Sequence, residues 1–437
     1  MIKNFKFFNC VLGLALFFLS CHPILAKNVY GLHLTQPSDL TTAQAVINSS
    51  GGDWGWATIV IRTDQLDYYT WQNFFDNCRK YHIIPIIRLA TTMENNVWLR
   101  PSRADIDNLA NFLNSLNWPS TPQHIILFNE INHGQEWGGQ VDIKNFTDLA
   151  IYAVDKFKSL NPNFFILSPG LDLAAPEKMP AYKNFANVYD EIKHYKPEYF
   201  SKFDGLASHY YPQNSPKDFN YELKYFPQHI PIFITETGWE HKRPYTCQAA
   251  AALTLKIVRD YAKNPKVQAV TPFIYNYPQP PFNNFSWLDN QEQLLPEYKC
   301  FIDEPKSANQ PYQITNFEFQ KIHLPIFMFV QKEYSGQIYL KNTGQSIWGE
   351  TSFCLQPQAS ANIQVEPICT DNHRVFPGQI KIFSFKFKVN STNPFKENYL
   401  AWEKIKPIEI SPLTTNSTIY RPKTDLKERI NGFLFKK

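Results

Sequence analysis

The sequence predicts an α/β protein, a (β/α)8 TIM barrel followed by a small all-β sandwich. From Asn28 to about Cys300, eight short β-branched or aromatic runs alternate with longer amphipathic segments, which is the size and rhythm of such a barrel. Beyond Cys300 the texture changes to strand patterns separated by turn residues, with no helical periodicity. The length, 437 residues, exceeds what one hydrophobic core usually organises and suits a large and a small unit.

The chain opens with Met-Ile-Lys-Asn-Phe-Lys, an apolar stretch from Phe7 to Leu19 and a small-residue site at Ala26. This is the layout of a secretory signal peptide over residues 1–26. The apolar run is shorter than the ~20 residues a spanning helix needs, so no integral membrane segment is expected after cleavage and the product is secreted or periplasmic. A lipoprotein acylated at Cys21 is a second reading.

The barrel is expected over residues 27–300. Its strand runs are Val29 to Leu34, Ala57 to Arg62, Ile83 to Leu89, His124 to Phe128, Phe164 to Ser168, Gly205 to His209, Ile230 to Thr235 and Val270 to Tyr277. Helical spacing of apolar residues marks Thr70 to Tyr81, Ser102 to Leu116, Ile143 to Leu160 and Thr246 to Asn264. An open doubly wound sheet is the runner-up, but no Gly-x-Gly-x-x-Gly follows any strand. Residues 301–315 read as a linker, 316–412 as the sandwich and 413–437 as a tail. Within the sandwich, Gly336 to Leu340, Thr351 to Leu355, Ile380 to Val389 and Asn398 to Trp402 are the clearer strands.

Aromatic residues make up 16% of the chain and charged residues only 19%, a balance that favours large cores and stacking surfaces over disorder. Loss of Lys3 and Lys6 with the leader takes the formal charge from +4 to +2, which is no basis for a nucleic-acid partner. The remaining cysteines, Cys78, Cys247, Cys300, Cys354 and Cys369, contain no Cys-x-x-Cys pair, so zinc is not expected, and Cys354 with Cys369 could form a disulfide. His133 and His241 lack ligand spacing, so the expected metal and cofactor inventory is none.

Two glutamates sit at predicted strand tips. Phe128-Asn129-Glu130-Ile131-Asn132 ends the fourth run and Ile234-Thr235-Glu236-Thr237-Gly238-Trp239 ends the seventh. Closing a barrel brings such tips to opposite walls of one cleft. A carboxylic acid and a carboxylate facing each other are the minimum equipment for retaining glycoside hydrolysis. Glu136 and Glu240 lie in the loops beyond and are minor alternatives for the acid. Trp137, Trp239 and Trp287 are candidate platforms for sugar rings, while Trp54, Trp56 and Trp98 read as core or rim. No Gly-x-Ser-x-Gly or His-Glu-x-x-His occurs, which removes the common esterase and metalloprotease readings.

On these motifs, residues 28 to roughly 300 resemble the clan A, or 4/7 superfamily, of cellulase-like glycoside hydrolases. The resemblance implies Glu130 as acid/base, Glu236 as nucleophile and Asn129 as the donor to the hydroxyl beside the reacting carbon. It further implies, from Ser208-His209-Tyr210-Tyr211-Pro212, that His209 lines the subsite and Tyr211 hydrogen-bonds the nucleophile. Arg62 matches the family arginine that steadies the nucleophile, with Arg88 an alternative or additional member. The family's tryptophan at the end of strand eight is missing from Thr-Pro-Phe-Ile-Tyr-Asn-Tyr-Pro, so Tyr275, Tyr277 or Trp287 is expected in its place. Residues 341–348, Phe376 to Gln379 and Tyr399 to Trp402 resemble Ig-like β-sandwich modules of secreted bacterial enzymes. The expected function is a monomeric, exported retaining hydrolase of a β-linked poly- or oligosaccharide, without a cofactor. A non-catalytic carbohydrate- or envelope-binding protein on the same barrel is the alternative, and transglycosylation would use the same residues.

Overall fold

Eight parallel strands carry the first three hundred residues of the computed structural model. They are β1 (Gly31–Leu34), β2 (Gly55–Arg62), β3 (Ile83–Ala90), β4 (Gln123–Ile126), β5 (Phe164–Leu167), β6 (Leu206–His209), β7 (Ile232–Glu236) and β8 (Val267–Val270). The structure describes residues 27–215, 217–325, 329, 331–350, 354–356, 363–390 and 409–411. The expected signal peptide with Cys21, the strand Asn398 to Trp402 and the tail 413–437 lie outside the described residues.

The strands form a five-stranded sheet, β1-β2-β3-β4-β5, and a three-stranded sheet, β8-β7-β6. Two parallel bridges, Tyr30 with Val270 and Leu167 with Gly205, join the edges of the two sheets. The result is a mixed α/β arrangement with parallel strands in chain order. Alternation along each strand splits the apolar side chains between two cores. Trp56, Ile84, Ile86, Ile126, Leu167, Ala207, Phe233 and Ala269 form one buried cluster. Their neighbours Ala57, Ile59, Ile83, Ile87, Ile125 and Ile232 belong to a larger one that includes the helices. Burial on both faces explains why the strands read as nearly continuous apolar runs.

The main intervening helices are α1 (Leu40–Ile47), α2 (Tyr68–Tyr81), α3 (Arg103–Ser115), α4 (Ile143–Leu160), α5 (Phe185–Tyr195), α6 (Tyr199–Lys202), α7 (Cys247–Ala262) and α8 (Lys299–Asp303). Their starts are set by side-chain caps, which satisfy N–H groups the helix leaves open. Asp67, Asp142 and Thr246 each accept from a backbone N–H three residues on, and Ser102 and Asp105 form a reciprocal capping box. Among the described residues no helix is long and apolar enough to cross a membrane.

The eighth strand departs from expectation. It occupies Val267–Val270 rather than Val270 to Tyr277, and its register with β7 ends at Val270 opposite Ile234. Pro272 has no N–H to continue a ladder, so the aromatic stretch after it becomes a loop at the strand tip. Residues 301–315 run along the first unit: Asn309 donates to the carbonyls of Asn28 and Trp54.

The C-terminal part contains a four-stranded antiparallel sheet, β9 (Phe317–His323), β10 (Glu333–Asn342), β14 (Ile380–Val389) and β12 (Ile363–Val365) in spatial order. A second sheet has β13 (Ile368–Cys369), β11 (Cys354–Gln356) and β15 (Glu409–Ser411). Ile338, Leu340 and Phe383 of the first sheet share a buried cluster with Leu355 and Ile368 of the second. A disulfide joins Cys354 to Cys369. Buried Arg79 of α2, 1% exposed, links the two parts. Its guanidinium donates to the Gln345 carbonyl at 2.6 Å and to the carbonyls of Asn117 and Trp118 at 2.9 and 3.1 Å.

Candidate active site

The inward-facing alternation that builds the inner cluster changes chemistry at the C-terminal ends of the strands. Ile84 and Ile86 are followed at the next inward position by Arg88, and Ala207 by His209. In β7 the register with β6 skips a residue, pairing Ser208 with Ile234 and then His209 with Glu236. Such an irregularity re-aims a side chain. It sets Glu236, rather than Thr235, opposite His209.

Glu236 is nearly enclosed and held by donors on both oxygens. Arg88 Nη1 lies 2.6 Å from Oε1, and the Tyr211 hydroxyl donates to Oε2 at 2.9 Å. His209 Nδ1 stands 3.7 Å from Oε2 and His33 Nδ1 3.8 Å from Oε1. Burial alone would raise this carboxyl, but the charges of His209 and Arg88 and the bond from Tyr211 outweigh it and hold it well below the usual range. Glu236 is therefore ionised at neutral pH. Burial pushes His33 down to about 3 and leaves it neutral, while the Tyr211 hydroxyl, buried beside two carboxylates, is pushed up and stays protonated.

Glu130 sits on an unusual backbone. Phe128 has φ +66° and Glu130 φ +24°, left-handed conformations that cost L-residues free energy and collect at functional sites. Asn129 between them accepts from Arg88 Nη1 at 2.6 Å, so one guanidinium spans the asparagine and Glu236. The Glu130 amide donates to the Gly170 carbonyl at 3.0 Å. A Cβ on Gly170 would fall 2.2 Å from the His209 ring, so only glycine lets the imidazole reach its place.

Each Glu130 oxygen faces an imidazole. His209 Nδ1 is 3.0 Å from Oε1 and His133 Nδ1 is 3.7 Å from Oε2. His133 Nε2 in turn meets Asp172 Oδ2 at 2.9 Å. Burial works against charge on His209, but Glu236 and Glu130 outweigh it and raise its pKa. The same balance, with Asp172 as the main partner, raises His133. Glu136 lines a cleft with Arg88, Thr91, Trp98 and Asn129. Burial and the nearby charge of Glu130 push its carboxyl up to about 7. A second depression is lined by His133, Gly134, Gln135, Gly139, Ala181 and Tyr182.

Glu130, His209 and Glu236 each bring one ligand-type atom within 4.8 Å of the others. A dication there would meet the Arg88 guanidinium already in contact with Glu236. The charge arrangement fits a carboxylate balanced by a protein cation better than a metal centre.

No protein-family model matches the chain, and no curated protein matches it. Solved structures do align with it. An endo-β-1,3-glucanase of family GH128, subgroup II, from Pseudomonas viridiflava is 14% identical, with 64% of this chain and 100% of that one covered and a TM-score of 0.45. A GH39 β-xylosidase from Caulobacter crescentus is 11% identical, with 84% and 97% covered and a TM-score of 0.46. A glucosidase from Croceicoccus marinus is 10% identical, with 64% and 67% covered and a TM-score of 0.47. These structural neighbours are glycoside hydrolases.

Of the residues singled out in the sequence, Asn129, Glu130, His209, Tyr211 and Glu236 converge. Arg62 does not. Its guanidinium turns to Asp64, two residues on, with Nε 2.9 Å from Oδ1, and Arg88 takes the place beside the nucleophile candidate. Arg62 and Arg88 have the same parity on their strands, so periodicity could not choose; the acid at Asp64 was the signal. The three tryptophans are largely buried, although Trp137 also lines the cleft that holds Arg88, Asn129 and Glu136. Trp137, 1% exposed, lies edge-on to Phe128 and Phe146. Trp287, also 1% exposed, stacks on Tyr298 at 4.2 Å, and Trp239 is buried at 8%. Tyr275 is buried too. Two half-buried aromatics follow strand eight: Phe273, edge-on to His33 at 5.3 Å, and Tyr277, edge-on to Phe282 at 5.4 Å. Phe282 and Phe285 pack on Phe273, and Phe285 reaches Tyr211 at 5.6 Å. Sequence reasoning missed Phe273 because the strand was set three residues late. It missed His133 with Asp172 because neither belongs to a strand.

Proposed function

We propose that the chain is an exported retaining β-glycoside hydrolase on a (β/α)8 barrel spanning residues 27–300, with a sandwich unit over 316–412. Glu236 is the nucleophile and Glu130 the acid/base. The observation that carries this is the approach of the two carboxylates, with reacting-type oxygens within 4.8 Å across His209. Retaining enzymes hold their carboxyls about 5–5.5 Å apart, and inverting ones about 6.5–9.5 Å to leave room for water. The two edge bridges support the closed barrel.

In this reading Glu236, kept ionised by Arg88 and Tyr211, attacks the anomeric carbon while Glu130 gives its proton to the leaving oxygen. Glu130 then takes a proton from water, which displaces Glu236 and restores the starting configuration. Arg88 fixes the Asn129 amide by occupying its oxygen. The half-buried Phe273 ring offers a face for the sugar in the subsite, the role expected of a tryptophan.

A panel of β-linked glucans, xylans and mannans, read by NMR at early times, tests the proposal. The first product should be the β-anomer, and Glu236→Ala and Glu130→Gln should lose turnover. Initial release of the α-anomer, or wild-type rates in both variants, would sink it.

A further inference from the structure

Glu130 has more machinery around it than proton donation to a leaving group requires. His209 already occupies one oxygen. On the other side the chain builds a second relay from residues outside any strand. Asp172 is fixed by the amide of Ala174 at 2.7 Å and by a two-way link to Asn132, whose side chain accepts from the Asp172 amide at 3.2 Å and donates to its carbonyl at 2.9 Å. It holds His133 Nε2 at 2.9 Å. That contact fixes the tautomer: Nε2 carries the proton toward Asp172, and Nδ1 is the basic nitrogen aimed at Glu130 Oε2, 3.7 Å away. The Tyr182 ring stands edge-on to the imidazole at 4.9 Å, so the ring is held on that flank as well.

We propose that His133, oriented by Asp172, is a positioning residue that stores the proton Glu130 delivers, passing it from Nδ1 to Oε2 when substrate covers the cleft. The inference rests on Glu130 being the acid. Before substrate binds, the proton rests on His133 Nδ1, and water still reaches both side chains, which are 21% and 16% exposed. A bound sugar removes that water, and a low dielectric disfavours two separated charges relative to a neutral acid and a neutral imidazole. One proton moves from Nδ1 to Oε2 and the Nε2–H remains on Asp172. Glu130 then gives the proton to the leaving oxygen. In the second half-reaction the proton that Glu130 takes from water returns to Nδ1, and nothing is consumed.

The groups facing the pair set its balance. Asp172, Glu130 and Glu136 all favour charge on His133. His209 lies against the opposite oxygen of Glu130, and Glu236 and Tyr211 stand beyond it. A depression lined by His133, Gly134, Ala181 and Tyr182 lies beside the imidazole.

Histidine NMR titration reads the shared proton without any substrate. The His133 imidazole, identified by loss of its signal in His133→Gln, should titrate above about 6.5, the ordinary histidine value, and its midpoint should fall in Glu130→Gln and in Asp172→Asn. The kinetic arm compares the glycan cleaved by the wild type with a 2,4-dinitrophenyl β-glycoside, whose leaving group needs no proton. His133→Gln should lose about tenfold or more in kcat on the glycan, with KM nearly constant and the alkaline limb of the pH profile shifted, and little on the activated glycoside. An unchanged His133 midpoint in Glu130→Gln overturns the inference. So does equal slowing on both substrates with the pH profile unmoved. A wild type inert on every glycoside would instead remove Glu130 as an acid, while the titration still decides whether the proton is shared.

Discussion

Arg88 and Glu236, at the tips of β3 and β7, meet at 2.6 Å with both side chains largely buried. The same Nη1 reaches Asn129, so one cation both keeps the carboxylate ionised and fixes the neighbouring amide. Arg88→Met should lower kcat by about two to three orders of magnitude, as expected for removing preorganised electrostatic support. Arg62→Ala should leave kcat/KM within about twofold, since its partner is Asp64. Steady-state kinetics on any cleaved substrate compare the two.

Gly170 is the floor under His209. A methyl group there would collide with the ring, and a displacement near 1 Å can cost about a hundredfold in rate. Gly170→Ala should therefore depress kcat far more than thermal stability, and calorimetry alongside kinetics separates these effects.

The aromatic roles can be told apart. Phe273→Ala should raise KM about fivefold, corresponding to about 1 kcal/mol of lost ring contact. Trp287→Ala should cost about 3–5 kcal/mol of stability through the cavity it leaves, with KM for the surviving folded enzyme unchanged. Denaturant melts and Michaelis curves read the two outcomes.

A buried acid below the site gives the fold a pH dependence of its own. Glu222, fully buried, is hydrogen-bonded by Ser208 and by the Tyr189 hydroxyl, and burial pushes its carboxyl up to about 7. The folded state then binds more protons than the unfolded one between the ordinary carboxyl value and about 7. Stability from this group is fully present at acid pH and declines as pH rises through that window. The loss is on the order of 3 kcal/mol at its full extent. Thermal melts from about pH 5 to pH 8 should fall less steeply in Glu222→Gln than in the wild type. Equal slopes would exclude Glu222 as the source.

The sequence carried the strand order and the two glutamates because both are written locally. Apolar runs such as Ile83 to Leu89 mark buried strands, and Asn129-Glu130 and Thr235-Glu236 stand at their ends. What it hid depends on direction rather than identity. Arg62 and Arg88 share a parity, and only the fold shows that Asp64 captures the first. Tryptophan as a residue type can stack on sugar, yet Trp287 packs inward on Tyr298, and Trp137 packs on Phe146 while it also lines the cleft of Arg88 and Asn129. The late setting of strand eight followed from the apolar run after Thr271, which the structure uses as a loop beyond Pro272. His133 and Asp172 are 39 residues apart, and no short-range pattern joins them.

The Arg79 guanidinium has a consequence for how the gene could be cut. A chain stopped before residue 316 would take away the Gln345 carbonyl that receives its Nε and strip the cover from a cation seated in the wall of the first unit. Asp76 would still pair with the guanidinium, so the loss is that of a buried charge-assisted hydrogen bond, about 1.5–3 kcal/mol. The C-terminal sheets thus behave as a keystone for the unit that carries the glutamates, not as an appendage that can be trimmed to obtain a smaller catalyst.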